Sequence, residues 1–126
     1  MEELNLTNSE WYVLDCLWGH APRTAMELVA ELGEKVGWAK STTLTTLRRM
    51  EEKGLVTAKA AGRTRYYAPA VERQGAAARE TRSFLDKVYQ GSVGLMVSAM
   101  VEDRALSREE IDRLYEILRQ AEEEST

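Results

Sequence analysis

The spacing of apolar residues changes once along this chain, beside a glycine at position 54. Before Gly54 they recur every three or four positions, as on amphipathic helices, and over residues 55–68 they recur at nearly every second position, as in strands. Gly62 lies within the alternating stretch and Pro69 closes it, which predicts a hairpin with glycine at its tip. Helical spacing returns after Pro69, so the pattern predicts a mainly α protein with one hairpin near its middle.

Three capping boxes predict where helices begin. In each, a hydroxyl residue is followed three positions later by glutamate, so that each side chain can bond the backbone amide of the other residue. The boxes are Thr7–Glu10, Thr24–Glu27 and Ser107–Glu110. They predict helix starts near residues 8, 25 and 108. A further helix follows Trp38 and is predicted to end at Gly54, so three helices precede the hairpin.

The third predicted helix has two chemically different faces. Leu44, Leu47 and Met50 form its apolar face. The other face carries Ser41, Thr42, Thr43, Thr45, Thr46, Arg48 and Arg49. Threonine favours helices less than lysine or glutamate does, so an ordinary solvated face would more often use those residues. Hydroxyl and methyl groups can touch base edges and arginines can bind phosphates, so this face predicts a helix that lies in a DNA groove.

Charge is distributed unevenly along a chain whose net charge is -4. Residues 35–67 contain eight lysines and arginines against two glutamates, a balance of +6, whereas residues 1–34 carry -6 and residues 68–126 carry -4. Attraction to phosphates acts over about one Debye length, so local charge governs contact more than net charge does. The basic block alone is typical of any solvated face, but its coincidence with the third helix and the hairpin favours double-stranded DNA as the partner.

Several function classes find no support in the residues. There is no histidine-based nucleophile pair, no phosphate loop and no carboxylate pair in an apolar setting, so neither an enzyme nor a cofactor is expected. Cys16 and His20 lack the further ligands that a metal site needs. No apolar run approaches the roughly 18 residues of a membrane span, and the acidic N-terminus is unlike a signal peptide. These observations predict a cytoplasmic protein without membrane insertion.

The region after Pro69 is predicted to form about three amphipathic helices. Below about 60 residues, and without disulfide or metal, such a region buries too little surface to be stable alone. Residues 92–101 are also apolar nearly all round and need partners on several sides. We therefore expect a homodimer in which residues 1–69 bind DNA and residues 70–126 dimerise; a monomer with these helices folded back on the N-terminal domain is the alternative. The expected interface residues are Phe84, Leu85, Val88, Val93, Met96, Val97, Met100, Ile111, Leu114 and Leu118.

Three helices followed by a basic, glycine-tipped hairpin form the winged helix-turn-helix arrangement, in which the third helix enters the major groove and the hairpin, or wing, follows the backbone. The sequence resembles the BlaI/MecI/CopY family of bacterial repressors over nearly its whole length. The matching segments are residues 6–18, 41–55, 62–69, 84–93 and 106–114. The resemblance implies a homodimeric transcriptional repressor that binds a dyad-symmetric operator and is released by an inducing signal.

The resemblance also implies roles for individual residues. Thr42, Thr43 and Thr46 match the base-facing positions of the third helix. Lys40, Ser41 and Arg49 match positions that contact phosphates, and Arg63 matches the wing position.

Two departures from the family leave the inducing signal open. Ala99-Met100 stands where the penicillinase branch has the Asn-Phe bond at which proteolysis causes induction, and the Cys-x-Cys pair of the copper branch is missing. A membrane sensor-protease therefore stays an open partner. Two alternative functions also stay open: a winged-helix regulator gated by a small-molecule effector, and a winged helix that binds only proteins.

Overall fold

The computed structural model describes residues 6–125, which form six helices and a three-stranded antiparallel sheet. The helices are α1 (Asn8–Gly19), α2 (Ala25–Val36), α3 (Lys40–Lys53), α4 (Arg73–Tyr89), α5 (Val93–Glu102) and α6 (Arg108–Glu124). The strands are β1 (Arg23–Thr24), β2 (Val56–Ala61) and β3 (Thr64–Pro69). The chain divides into two compact units, a head unit that ends at Thr81 and a C-terminal unit that begins at Arg82. None of the described helices is both long enough and apolar enough to cross a bilayer.

The helix starts predicted from the capping boxes are confirmed. Thr7 and Thr24 each form the complete box, in which the threonine side chain and the glutamate three residues later bond each other's amides. Ser107 accepts a hydrogen bond from the Glu110 amide over 3.2 Å and begins α6. These local bonds satisfy amides that the first turn of a helix otherwise leaves unpaired, which is why each box marks a helix start.

The end of α3 is also set locally. Gly54 has a φ of 79°, the left-handed conformation that glycine adopts without a Cβ clash, and its amide bonds the carbonyls of Met50 and Glu51. Leu55 follows with its amide on the Met50 carbonyl, 2.9 Å away, and its side chain fully buried. The helix therefore passes directly into the strand that begins at Val56.

The predicted hairpin is confirmed and gains a third strand. β2 and β3 pair antiparallel from Val56 opposite Pro69 to Ala61 opposite Thr64, and Gly62 turns the chain with a φ of 66°. β1 adds to the other edge of β3, giving the order β1-β3-β2. The sequence pattern did not predict β1, because two residues are too few to show an alternation.

The core of the head unit lies between α1, α2, α3 and the sheet. Its fully buried side chains include Leu14, Leu28, Leu47 and Met50, each at 1% exposure or less apart from Leu47 at 2%. Trp18 and Trp38 lie half-buried against this core. Each of the three helices contributes one apolar face to this core, as amphipathic spacing requires.

The compact head unit continues past Pro69 to Thr81, because Val71, just before α4, and Glu80, within α4, bond to α1 and to Leu6. Trp18 Nε1 donates to the Val71 carbonyl over 2.9 Å, and the Leu6 amide donates to Glu80 over 3.2 Å. Ala76 is only 6% exposed. The division between the two units therefore falls inside α4, and the head unit ends at Thr81.

The C-terminal unit comprises the end of α4, all of α5 and all of α6. Over residues 82–125 no residue is buried. Both short turns between these helices contain residues with positive φ. These are Gln90 and Gly91 in the first turn and Arg104 in the second. Large apolar side chains are more than 40% exposed in every helix of this unit, as at Phe84, Val93 and Leu118.

Candidate nucleic-acid interface

One face of α3 is exposed, polar and basic. Side chains advance by about 100° per residue around an α-helix, so Ser41, Thr45, Arg48 and their neighbours Thr42 and Arg49 share one side. All five are exposed. This exposed α3 face contains three hydroxyl groups followed by two guanidinium groups, and all of them face solvent.

Two of the predicted base-contacting residues lie elsewhere. Thr43 is 0% exposed and Thr46 is 5% exposed, on the same side of α3 as Leu47 and Met50. The Thr46 hydroxyl donates to the Thr42 carbonyl over 2.7 Å, inside the helix's own backbone. A side chain packed against the core cannot reach a base edge, so the assignment of Thr43 and Thr46 as base-contacting residues is withdrawn.

Thr45 and Arg48 are the exposed residues that the predicted site omitted. They lie four and seven positions after Ser41, which is one row along a helix surface. The signal was present in the sequence, because stepping 100° from Ser41 places Thr45 and Arg48 beside it and Thr43 on the far side. The prediction took Thr42, Thr43 and Thr46 from the resemblance to the family, without using the angle around the helix.

The first turn of α3 has no side-chain cap. Its N-cap residue is Ala39, which has no side-chain hydrogen bond to the helix, whereas a threonine or serine caps each of α1, α2, α5 and α6. Lys40 and Ser41 follow, both exposed. Their amides and the lysine charge therefore lie together at the positive end of the helix dipole, which favours an anion.

The hairpin presents a second basic surface. Arg63 follows Gly62 at the tip and is exposed, and Lys59 is exposed on β2. Arg65 differs, because its guanidinium bonds Glu51 over 2.7 Å and lies over the Tyr67 ring. The wing thus offers the unpaired charges of Lys59 and Arg63, while Arg65 joins the wing to α3.

Intramolecular ion pairs use only part of the basic block. Lys35 pairs with Glu31, Lys53 with Glu10 and Arg65 with Glu51. The remaining basic side chains, Lys40, Arg48, Arg49, Lys59 and Arg63, form no ion pair with any residue over 6–125. All five belong to α3 or the wing, so each chain presents five uncompensated cations on those two elements.

Cys16 and His20 belong to no group of three or more potential metal ligands within residues 6–125. Burial raises the pKa of the Cys16 thiol to about 11, with help from the nearby Glu31 carboxylate. Hydrogen bonds from Lys35 and Arg23 lower the pKa of Glu31 to about 2. Arg23 also donates to the Cys16 carbonyl over 2.9 Å, so this cluster joins the end of α1 to α2.

The predicted interface residues all lie in the C-terminal unit and are partly or largely exposed. The largely exposed ones are Phe84, Val88, Val93, Met100 and Leu118. Those half-buried within the unit are Leu85, Met96, Val97, Ile111 and Leu114. Among the first group Phe84 packs edge-on against Tyr89 with ring centroids 5.8 Å apart.

A family model described as "Penicillinase repressor" matches residues 6–120. The chain belongs to the penicillinase repressor family. The match covers both units, so the predicted resemblance is confirmed over nearly the whole chain, and the family is one of transcriptional repressors and not of enzymes.

Individual members of the penicillinase repressor family are similar over almost their full length. The penicillinase repressor of Bacillus licheniformis is 31% identical over 113 residues, which is 90% of this chain and 88% of that protein. The methicillin resistance regulatory protein MecI of Staphylococcus aureus (strain N315) is 27% identical over 113 residues, or 90% and 92%.

Two solved structures of the repressor BlaI are similar to part of this chain. The solution structure of the B. licheniformis BlaI monomeric form in complex with the blaP half-operator matches with a TM-score of 0.52 and 25% identity, covering 58% of this chain and 89% of that one. The DNA-binding domain of the repressor BlaI gives the same TM-score and identity, covering 57% and 88%. The predicted winged-helix fold of this family member is thereby confirmed.

Proposed function

We propose that this chain is a homodimeric DNA-binding repressor that places α3 of each protomer in the major groove of a dyad-symmetric operator. The observation that carries the proposal is the exposed α3 face together with five uncompensated cations on α3 and the wing. A negatively charged, grooved partner fits both features, because hydroxyl groups can reach base edges while the flanking cations bind phosphates. The BlaI monomeric form that this head resembles was solved with a half-operator, which supports the same ligand here.

Within that interface, Thr42 and Thr45 are proposed to contact bases. They are the exposed threonines of α3, and a threonine offers a hydroxyl for hydrogen bonding and a methyl that can pack on the C5-methyl of thymine. Their short side chains allow the helix backbone to approach the groove floor closely. The pair replaces the buried Thr43 and Thr46 in the base-contacting role.

The cationic residues are proposed to bind the phosphate backbone. Lys40 and Ser41 lie at the uncapped start of α3, where backbone amides add to the lysine charge. Arg48 and Arg49 lie further along the same face, and Arg63 extends from the wing tip. These contacts would position the head on any sequence, and Thr42 and Thr45 would supply discrimination.

Dimerisation is proposed to occur through the C-terminal unit. This unit lies within residues 70–126, the dimerisation domain predicted from the sequence. Residues 82–125 contain no buried side chain, and nine of their large apolar side chains are exposed. A second copy would cover these side chains in one self-complementary contact. Two heads would then engage half-sites about one helical turn apart, roughly 34 Å.

The inducing signal is proposed to differ from cleavage of an Asn-Phe bond. Ala99 and Met100 stand at the corresponding place, inside α5, and only Met100 is exposed. A protease selective for that dipeptide would find neither residue here. A membrane sensor-protease of other selectivity stays an open partner.

Salt dependence tests the DNA-binding proposal. The full chain should enrich a duplex from a random-sequence library, and its affinity should fall by about 10³–10⁵ between 50 and 200 mM salt if a dimer makes six to ten phosphate contacts. Lys40→Gln should reduce the salt slope, whereas Lys35→Gln is the matched control because that lysine already pairs with Glu31. Enrichment of no duplex, or a slope near zero, would refute the proposal.

A further inference from the structure

An ion pair between a buried carboxylate and a partly exposed lysine joins the start of α1 to the end of α3. Glu10 is 0% exposed, yet it is charged and fully bonded: Lys53 Nζ donates to its Oε1 over 2.9 Å and to its Oε2 over 2.7 Å. The Thr7 amide donates to the same Oε1 over 2.9 Å. Burial favours the neutral acid, but the bonds from Lys53 and Thr7 outweigh it and hold the pKa of Glu10 below its usual value. The carboxylate is therefore a fixed anionic anchor in the head unit.

Lys53 lies where both candidate DNA-contacting elements meet. It is the last residue of α3, and only Gly54 and the fully buried Leu55 separate it from β2, the first strand of the wing. The Lys53 side chain is 38% exposed, and its ammonium nitrogen contacts the Glu10 carboxylate. One ion pair thus fixes the junction from which α3 runs in one direction and the wing in the other.

The buried face of α3 contains few apolar side chains, so the ion pair between Glu10 and Lys53 matters for the orientation of this helix. The buried residues of α3 are Thr43, Thr46, Leu47 and Met50, so half of them carry hydroxyl groups. The Thr43 hydroxyl has no hydrogen-bond partner among the described residues. Leu47 and Met50 constrain the rotation and the axial position of α3 by close packing, which has no preferred bond direction. Hydrogen bonds of 2.7–2.9 Å to a fixed carboxylate define both closely.

We infer that Glu10 and Lys53 are positioning residues for sequence discrimination: they set the orientation of α3 and the wing so that Thr42 and Thr45 meet base edges. The inference rests on the proposed function. Neither residue would touch DNA in this role. Contacts to the flexible phosphate backbone tolerate a small rotation of the helix, but bonds to base edges do not, so losing the pair should lower specific binding more than non-specific binding.

Two substitutions separate discrimination from stability. Glu10→Gln keeps an oxygen that can accept from the Thr7 amide, so the capping box survives. The amide nitrogen that replaces Oε2 cannot accept the 2.7 Å hydrogen bond from Lys53, and the attraction between the two charges is lost. Lys53→Met leaves a buried carboxylate without its cation, which should lower the unfolding temperature sharply. In the double variant Glu10→Gln/Lys53→Met no charge is left unpaired, so thermal stability should recover relative to Lys53→Met alone.

The measurement is the ratio of affinities of the full chain for two probes, the duplex that the wild-type chain enriches from a random library and a shuffled duplex of the same composition. We expect Glu10→Gln and the double variant each to lower this ratio about tenfold, the discrimination carried by about one base pair, with the salt slope unchanged. Lys53→Arg should keep the ratio within about twofold, because arginine can bond the same carboxylate.

Glu31→Gln is the matched control, because it removes another bonded carboxylate of the head that pairs with Arg23 and Lys35 and with no residue of α3. It should leave the ratio unchanged. Wild-type ratios in both Glu10→Gln and the double variant, or an equal loss in Glu31→Gln, would overturn the positioning role and leave the proposed function standing. If the wild-type chain enriches no duplex, the proposed function and this inference fail together.

Discussion

The head unit and the C-terminal unit are both built from amphipathic helices, but they bury their side chains to very different extents. In the head, α1, α2 and α3 direct their apolar faces at one another and at the sheet, and side chains such as Leu14 and Met50 are wholly buried. In residues 82–125 the same kind of spacing leaves every side chain at least partly exposed. Amphipathic spacing therefore tells which residues seek burial, and the number of packed elements decides whether they find it within one chain.

The sharpest test of this contrast compares a core residue of the head with an apolar residue of the C-terminal unit. Leu14→Ala should lower the free energy of unfolding by about 2–5 kcal/mol, because it leaves a cavity in a filled core. Leu118→Ala, at a side chain that is 62% exposed, should change the unfolding of the head by less than about 0.5 kcal/mol. Urea unfolding followed by tryptophan fluorescence reports the head alone, since Trp11, Trp18 and Trp38 all lie there. Equal losses in the two variants would contradict the contrast.

A charge in the C-terminal unit should break assembly without unfolding the head. Leu118→Asp should give a species of 14.3 kDa in light scattering where the wild-type chain gives twice that mass. Losing the second half-site should weaken binding to the enriched duplex by about 10²–10⁴-fold. Gln120→Asp, two residues further along α6 and also exposed, is the control and should stay dimeric. A wild-type chain that is already 14.3 kDa at micromolar concentration would overturn the dimer.

Within the head, the exposed and buried faces of α3 should respond differently to removal of a threonine. Thr45→Ala should cost about 1–3 kcal/mol of discrimination between the enriched and shuffled duplexes, with stability nearly unchanged. Thr46→Ala removes a 5% exposed side chain bonded to the Thr42 carbonyl, so it should lower the unfolding temperature and leave discrimination unchanged. Competition binding and thermal unfolding of the same two variants measure both effects. The reverse outcome would return Thr46 to the base-contacting role.

The smallest expected effect concerns acid stability of the head. Hydrogen bonds from Lys35 and Arg23 place the pKa of Glu31 at about 2, below the 4.5 of the unfolded chain, so the charged form is favoured by folding. Its contribution is fully present above about pH 4.5 and is lost as the pH falls toward 2, and it amounts to about 1 kcal/mol after solvent screening. Unfolding free energies of wild type and Glu31→Gln should therefore converge between pH 4.5 and 2. A constant difference across that range would exclude this cause.

Local signals in the sequence accounted for most of the fold. The threonines at positions 7 and 24 and the glycines at positions 54 and 62 each act through bonds or φ angles within a few residues, so their effects could be predicted without a structure. β1 could not be, because it forms only where Arg23 pairs with Tyr67, more than forty positions away. The end of the head at Thr81 likewise depends on bonds between distant residues, such as those of Trp18 to Val71 and of Leu6 to Glu80.

The residues of the candidate interface were predicted from the resemblance to the family and corrected by geometry. Lys40, Ser41, Thr42, Arg49 and Arg63 are exposed, as contact with DNA requires. Thr43 and Thr46 were misplaced because matched positions were assigned without the angle around the helix. The ion pair between Glu10 and Lys53 could not be predicted, since the two residues are 43 positions apart and no sequence motif contains both.

The exposed apolar surface of residues 82–125 has a consequence for how such a regulator would respond to its own abundance. If that surface is covered only by pairing, the amount of paired protein at low concentration varies with the square of the amount of chain. Halving the supply of chains would then lower the amount able to hold both halves of an operator by about fourfold. Dilution by growth, or modest turnover of the free chain, would by itself steepen the switch from a silent gene to an active one.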